Sequence, residues 1–193
     1  METARLMANW YADQLTNKNY LSPIGFVFLL DKARKVSFLC QRAEIPTMSI
    51  SELVVPTPGF VQLPIPDGQA TYANLQIEFI VDENLENYMQ IYNWMRAIST
   101  PDEYETRFKW IEDNRKDRLD SDRAQTLVSD GTLQVLNNNN QANFDVTFRD
   151  LFPVSLSTLS FDVTQSDNNY FTASVTFQYT VYDVLDVNTS TRR

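Results

Sequence analysis

Twenty-five carboxylates and no histidine define the chemistry open to this chain. Histidine is the commonest general base, the commonest metal ligand and the usual middle member of a nucleophilic triad, so its absence removes three chemistries together. Carboxylate pairs remain possible, as in glycoside hydrolysis. Asp120 and Asp122 have the spacing that opens a calcium loop, but the turn glycine and closing glutamate are not at the required positions. Cys40 is the only cysteine. It lies in an apolar run, reads as a small core residue, and has no intrachain disulfide partner. Gly25, Gly59, Gly68 and Gly131 are too far apart to build a P-loop or a dinucleotide fingerprint. Tyr88, Tyr92, Trp94 and Met95 could line a pocket, yet at helical spacing they read as core. The expectation is a non-enzyme without catalytic residues, metal or cofactor, its carboxylates forming a solvated surface.

The net charge is −9, so the chain lacks the overall basic footprint that neutralises phosphates. Acidity instead repels a polyanion. No apolar run approaches the roughly 20 residues that span a bilayer, and the first residues lack the apolar core of a secretory signal, which predicts a soluble protein made inside the cell without membrane insertion. The Asn188-Thr189-Ser190 sequon then reads as chance.

The elements follow from periodicity. From Tyr170 to Tyr182 the side chains alternate without a slip, predicting one long strand. Phe171, Ala173, Val175, Phe177, Tyr179 and Val181 share one face; Thr172, Ser174, Thr176, Gln178 and Thr180 share the other. That polar face has two readings, a solvent-facing surface or the lining of a channel in a closed assembly. Leu75, Ile77, Phe79 and Val81 mark a second strand. The runs Ile24–Leu30 and Val36–Cys40 read as a hairpin around the charged segment Asp31–Lys35. Further strands are expected at Thr126–Leu136, Phe144–Phe148 and Ser155–Val163, with a turn at Asn137–Asn140. The period changes after Asp82 to that of a helix. Leu85, Tyr88, Met89, Tyr92 and Met95 form its face, Ile91, Trp94 and Ile98 widen it, Asp82 or Asn84 caps it, and Pro101 follows its end. About seven strands and this helix predict a single domain over 1–193, a mainly antiparallel β-sandwich or barrel with one flanking α-helix.

Three segments stand apart from that domain. Residues 1–18 have an amphipathic cast. Residues 46–66 hold Pro46, Pro56, Pro58, Pro64 and Pro66, five of the eight prolines. Proline lacks an amide donor, so this is an extended arm or hairpin outside the central sheet. With Val54, Val55, Phe60, Val61, Leu63 and Ile65 it is too apolar for a solvated linker and needs a surface to lie on. The charged insertion 99–124 packs eight acids and six bases between Asp102 and Arg123. Tyr104, Phe108 and Ile111 give it one weak helical face, with a mobile loop as the other reading.

Taken in order, NYLSPIGFVFLL, VSFLCQRAEIPTMSI, VVPTP, LPIPDG, DENLENYMQIYNWM, VTFRDLFPVSLSTLSFDVT and NNYFTASVTFQYTVYDV resemble the tail-tube family of contractile-tailed bacteriophages. The resemblance covers most of residues 19–184 and rests on the order of the segments. It implies hexameric rings that stack into a hollow tube inside the sheath, through which genome DNA passes. The arm from Pro46 to Pro66 would be the element docking on the next ring, and Thr172, Ser174, Thr176, Gln178 and Thr180 a lumen or inner-sheet face. Partners would be further copies of the chain, tail sheath and baseplate proteins, with transient, non-specific proximity to DNA. The place would be the virion tail, assembled in the host cytoplasm. Segments 1–18, 102–123 and the tail after Asp183 do not map onto a simple tube subunit, which keeps a baseplate-proximal initiator or another tube-like ring as the alternative. From another class, a ligand- or carbohydrate-binding β-sandwich would expose Tyr and Trp in a groove.

Overall fold

Where the sequence alternates in steps of two, the chain hides one face of a strand from water. In β5 (Leu75–Ile80) Leu75, Ile77 and Phe79 are fully buried, and in β8 (Thr172–Gln178) Ala173, Val175 and Phe177 are too. The computed structural model describes residues 19–56, 62–99, 104–114, 127–162 and 170–187. Within them the other strands are β1 (Phe26–Leu30), β2 (Cys40–Ala43), β3 (Met48–Pro56), β4 (Gln62–Tyr72), β6 (Ser129–Leu136), β7 (Ala142–Leu156) and β9 (Val181–Asp186). The helices are α1 (Arg34–Phe38), α2 (Glu86–Ser99) and α3 (Tyr104–Asn114).

Seven strands form one sheet in the order β1-β6-β7-β8-β5-β2, with β9 also on β7; every pairing is antiparallel. β7 joins its two halves. Phe144–Arg149 lies between β6 and β9, after which Phe152–Leu156 pairs with β8. Apolar faces from the two halves meet in one core, with Phe28, Leu133, Val146 and Phe148 from one and Ile77, Phe79, Val175 and Phe177 from the other. This is the mainly antiparallel β architecture with a flanking helix that the periodicity predicts.

The junction in β7 falls at Asp150, whose φ of 54° is left-handed. A short polar side chain tolerates that conformation and a β-branched one does not. Asp150 N–H donates to Asp130 Oδ1 at 3.3 Å, helping hold the bend. Asp150→Val should therefore cost about 1–2 kcal/mol in urea melts, while Asp150→Gly escapes that strain. Equal destabilisation by both would remove the backbone-strain account.

Asp82 caps α2 as expected. Its carboxylate accepts from the Asn87 and Glu86 N–H groups at 2.9 and 3.0 Å, and these bonds, Asn87's first, hold the carboxyl below its ordinary pKa. The buried stripe is Asn87, Ile91, Trp94 and Ala97. Met89 and Tyr92, expected on the buried face, are 41% and 43% exposed. The stripe is rotated because Trp94 anchors it: the indole N–H donates to Leu127 O at 2.7 Å and the ring packs 6.1 Å from Phe177. Trp94→Ala should cost about 3–5 kcal/mol in thermal or urea unfolding. A loss below about 1 kcal/mol would show that α2 is not part of the cooperative core.

Several expectations are corrected. Ile24–Leu30 and Val36–Cys40 are not a hairpin: β1 pairs with β6 and β2 with β5. The intervening charged run leads into α1, which places Ala33 and Val36, one turn apart, wholly in the core. Tyr170–Tyr182 is not one strand. β8 ends at Gln178 and the chain crosses to the other part of the sheet as β9, with Thr180 N–H donating to Arg149 O at 3.0 Å. Ser155 and Leu156 end β7, and residues 157–162 are irregular. β6 begins at Ser129, and Thr126 lies outside the described residues. In the charged stretch, α3 turns Trp110 inward to stack on Trp94 at 6.2 Å and 10°, with Lys32 Nζ 5.2 Å from the Trp110 ring centre. Phe108, expected on the inner face, is 54% exposed.

Candidate assembly surfaces

β3 and β4 form a hairpin separate from the main sheet. Its root is tied to the core by tyrosines. Tyr72 meets Tyr182 edge-on at 5.5 Å and Tyr179 at 6.3 Å; the Tyr179 hydroxyl donates to Ala73 O at 2.8 Å, and Ala73 N–H to Thr47 O at 3.0 Å. Burial first, then Tyr182 and Tyr72, pushes the Tyr179 hydroxyl up to about 12, so it remains a neutral donor at physiological pH.

Beyond the root the hairpin stands in water. Of the expected arm residues, Val54, Leu63, Ile65 and Pro66 are exposed on it, and Val55 is half-buried. Pro46 is buried in the link from β2. Pro56 ends β3, while Pro58, Phe60 and Val61 lie outside the described residues. β4 continues past Pro66 to Tyr72. Met48 and Ile50, which the proline pattern did not single out, are also exposed. Part of the roughly 1.5–3 kcal/mol that full burial of each aliphatic side chain supplies is thus left unrealised in the single chain, and contiguous apolar surface of this kind marks an interaction site.

The polar residues of β8 occupy the outer face of the sheet. Thr172 and Gln178 are exposed; Ser174 and Thr176 are half-buried. Across β5, Thr176 opposes Gln76 and Ser174 opposes Glu78, and Arg42 of β2 opposes Glu78. Arg42 bridges Glu44 at 2.5 Å and Glu78 at 3.8 Å. Thr180 does not continue this face, because it lies in the turn between β8 and β9.

Chemistry is sparse elsewhere. Burial pushes the Cys40 thiol up to about 11, so at neutral pH it is held as the protonated, weakly nucleophilic thiol. Among the described residues, no three acidic or cysteine side chains come together in a metal-holding group, and no helix is long and apolar enough to cross a membrane. Trp94 and Trp110 pack on each other rather than flanking a groove. One surface depression of about 350 Å³ is lined by amides including Asn19, Asn137 and Asn139; another, of about 440 Å³, is lined by Arg34, Lys35, Asp82 and Glu86.

A sequence profile described as phage tail tube protein matches residues 8–185, nearly the whole chain. The chain belongs to the phage tail tube protein family. Similar folds occur in solved structures at low identity. The tail tube protein is 15% identical to a chain from the tube-terminating cap of the anti-feeding prophage, with 91% of this chain and 97% of that one covered and a TM-score of 0.56. It is also 15% identical to a chain from the extended sheath–tube complex of the PVC extracellular contractile injection system, covering 88% and 94% at a TM-score of 0.54. A chain from the six-fold-symmetrised anti-feeding prophage baseplate matches at 13% identity, 89% and 99% coverage and a TM-score of 0.52. A comparison with curated protein sequences finds no match. The family consists of structural tube proteins of the virion tail, and the tail tube protein is a structural protein of that kind.

Proposed function

We propose that six copies of this tail tube protein close into a ring, that rings stack through the β3–β4 hairpin, and that the resulting tube conducts genome DNA during ejection. The observation that carries this reading is the hairpin, rooted in the core by Tyr72 and Tyr179 and exposing Leu53, Leu63 and Ile65 to water. An apolar hairpin of this kind stabilises a folded protein only when a partner covers it. Sheath and baseplate proteins are the other partners, assembly takes place in the host cytoplasm, and DNA contact is transient and non-specific. The six-fold symmetry of the baseplate relative supports the ring number, and the sheath–tube relative supports the surroundings. The polar face bearing Thr172, Ser174, Thr176 and Gln178 lines the lumen in this reading, and the hydroxyls and amide of those four residues offer phosphates no fixed cation.

The second reading, a baseplate-proximal initiator or another tube-like ring, is favoured by the same neighbours, since two of them come from a cap and a baseplate. Electron microscopy of the purified protein across a concentration series separates the two. Open-ended tubes support the tube subunit, and isolated or paired rings support the initiator. A monomer that stays single at every concentration, and also with its tail partners, counts against both.

A further inference from the structure

The half of the sheet that carries the polar face is short of charge, and its two charged strand residues stand opposite each other. Four segments build this half: β2, β5, β8 and Phe152–Leu156 of β7. Among their residues Arg42 is the one cation and Glu78 the one anion. Ile77 and Phe79, on either side of Glu78, are fully buried, so Glu78 points away from the core, and the β2–β5 register sets Arg42 against it. Glu44, just past the end of β2, reaches the same guanidinium.

Both carboxylates are directed at this one side chain. Arg42 Nη2 lies 2.5 Å from Glu44 Oε1 and Nη1 lies 3.8 Å from Glu78 Oε1, so each terminal nitrogen faces an anion. Arg42 and Glu44 stand in water, Glu78 is half-buried, and the cleft they share with Gln76 has a volume of about 50 Å³, room for water. Solvent screens pairs of this kind, and they add little to the stability of a fold. Their consequence lies in what they deny to an approaching anion. A guanidinium is a fork of donors that matches phosphate bidentately, and here its terminal nitrogens are already turned to carboxylates of the same chain. One cation against two carboxylates leaves the cluster with one net negative charge.

We infer that Glu44 and Glu78 mask Arg42, keeping the one cation of these strands from gripping the phosphates of passing DNA. The inference rests on the lumen reading of the β8 face. In a ring of six, unmasked arginines would form a basic collar at one level. Six phosphate contacts correspond to a binding constant that falls by roughly 10³ between ~50 and ~200 mM salt, so at the lower concentration the collar would hold DNA strongly.

The test is DNA release, triggered in vitro from particles carrying Glu44→Gln with Glu78→Gln and followed by dye fluorescence across a salt series. At ~50 mM salt release should be roughly tenfold or more slower than from native particles, and it should recover by ~200 mM. Adding Arg42→Gln to the pair removes the cation and should restore native release, although both carboxylates are still missing. Glu44→Gln alone and the triple variant leave the cluster with the same net charge, zero, but the single variant keeps a half-masked Arg42 and should release more slowly. Equal release by these two would show that net charge alone governs passage, and it overturns the mask. So does native-like release by the double variant; if Ser174→Lys with Thr176→Lys blocks release in the same assay, the lumen reading survives that failure. If the lysine pair also releases DNA normally, the lumen reading fails and takes the mask with it. For a variant that does not enter particles, purified rings titrated with a short fluorescent DNA duplex give the readout. The double variant should bind roughly tenfold or more tightly than the native ring at ~50 mM salt, and equal binding overturns the mask.

Discussion

Deleting Pro56–Pro66 should leave folded subunits that close into rings but no longer stack. The segment removes Leu63 and Ile65 and strips Leu53 and Val55 of their cross-strand partners. Each aliphatic is worth about 1.5–3 kcal/mol when fully buried, and a ring–ring contact repeats that loss at every subunit. Every 1.4 kcal/mol is a factor of ten in association, so stacking falls by several orders of magnitude. The domain itself loses little, because none of the deletion's described residues belongs to the buried core cluster. Root anchors Tyr72, Tyr179 and Tyr182 remain. Electron microscopy and a urea melt on one preparation check both halves of the expectation. Tubes of normal length would remove the docking role of the hairpin, and a lowered unfolding midpoint would show that its tip supports the fold.

The parts of this fold that were legible in the sequence are those where one physical rule acts locally. Strict alternation marked β5 and the buried face of β8. Asp82 announced the start of α2, and the asparagine run gave a turn in which Asn140 takes a left-handed φ of 58°. Prolines mixed with aliphatics set the arm apart from the main sheet. The errors came where a distant contact overrode a local pattern. Ala33 read as part of a hairpin's charged turn and Val36 as the start of its second strand, until the core required them one helical turn apart. Tyr179 concealed a sheet crossing because it stays on the buried face, 6% exposed, while its hydroxyl closes the hairpin root. Trp110 lies in a stretch whose composition is that of a solvated loop, and only its partner Trp94, in a different helix, makes it an anchor. The candidate surfaces followed the same division. The arm's aliphatics were visible as residues without an obvious place, but their pairing across a hairpin, Leu53 with Ile65 and Val55 with Leu63, needed the β3–β4 register.

The double substitution Ser174→Lys and Thr176→Lys should block infection without blocking assembly, if the outer face of β8 lines the lumen. Both residues point away from the core, and both are half-buried by their neighbours on the sheet. Lysine can extend along such a surface and place its ammonium in water, so the fold should survive. The electrostatics of the face change more. Ser174 stands opposite Glu78, and Arg42, Glu44 and Glu78 leave one net negative charge beside it, so two added lysines turn this cluster net positive. Each retained phosphate contact contributes a slope of about −0.9 in log K against log salt for duplex DNA. Repeated around a ring and along a tube, such contacts would hold a moving polyanion. Infectivity should fall by orders of magnitude, particles should look normal, and ejection triggered in vitro should recover as salt is raised. Ser174→Asn with Thr176→Gln keeps the face polar and uncharged and should infect normally. Full infectivity of the lysine variant, with both substitutions incorporated into particles, would sink the lumen assignment and leave the polar face of β8 on the outside of the tube.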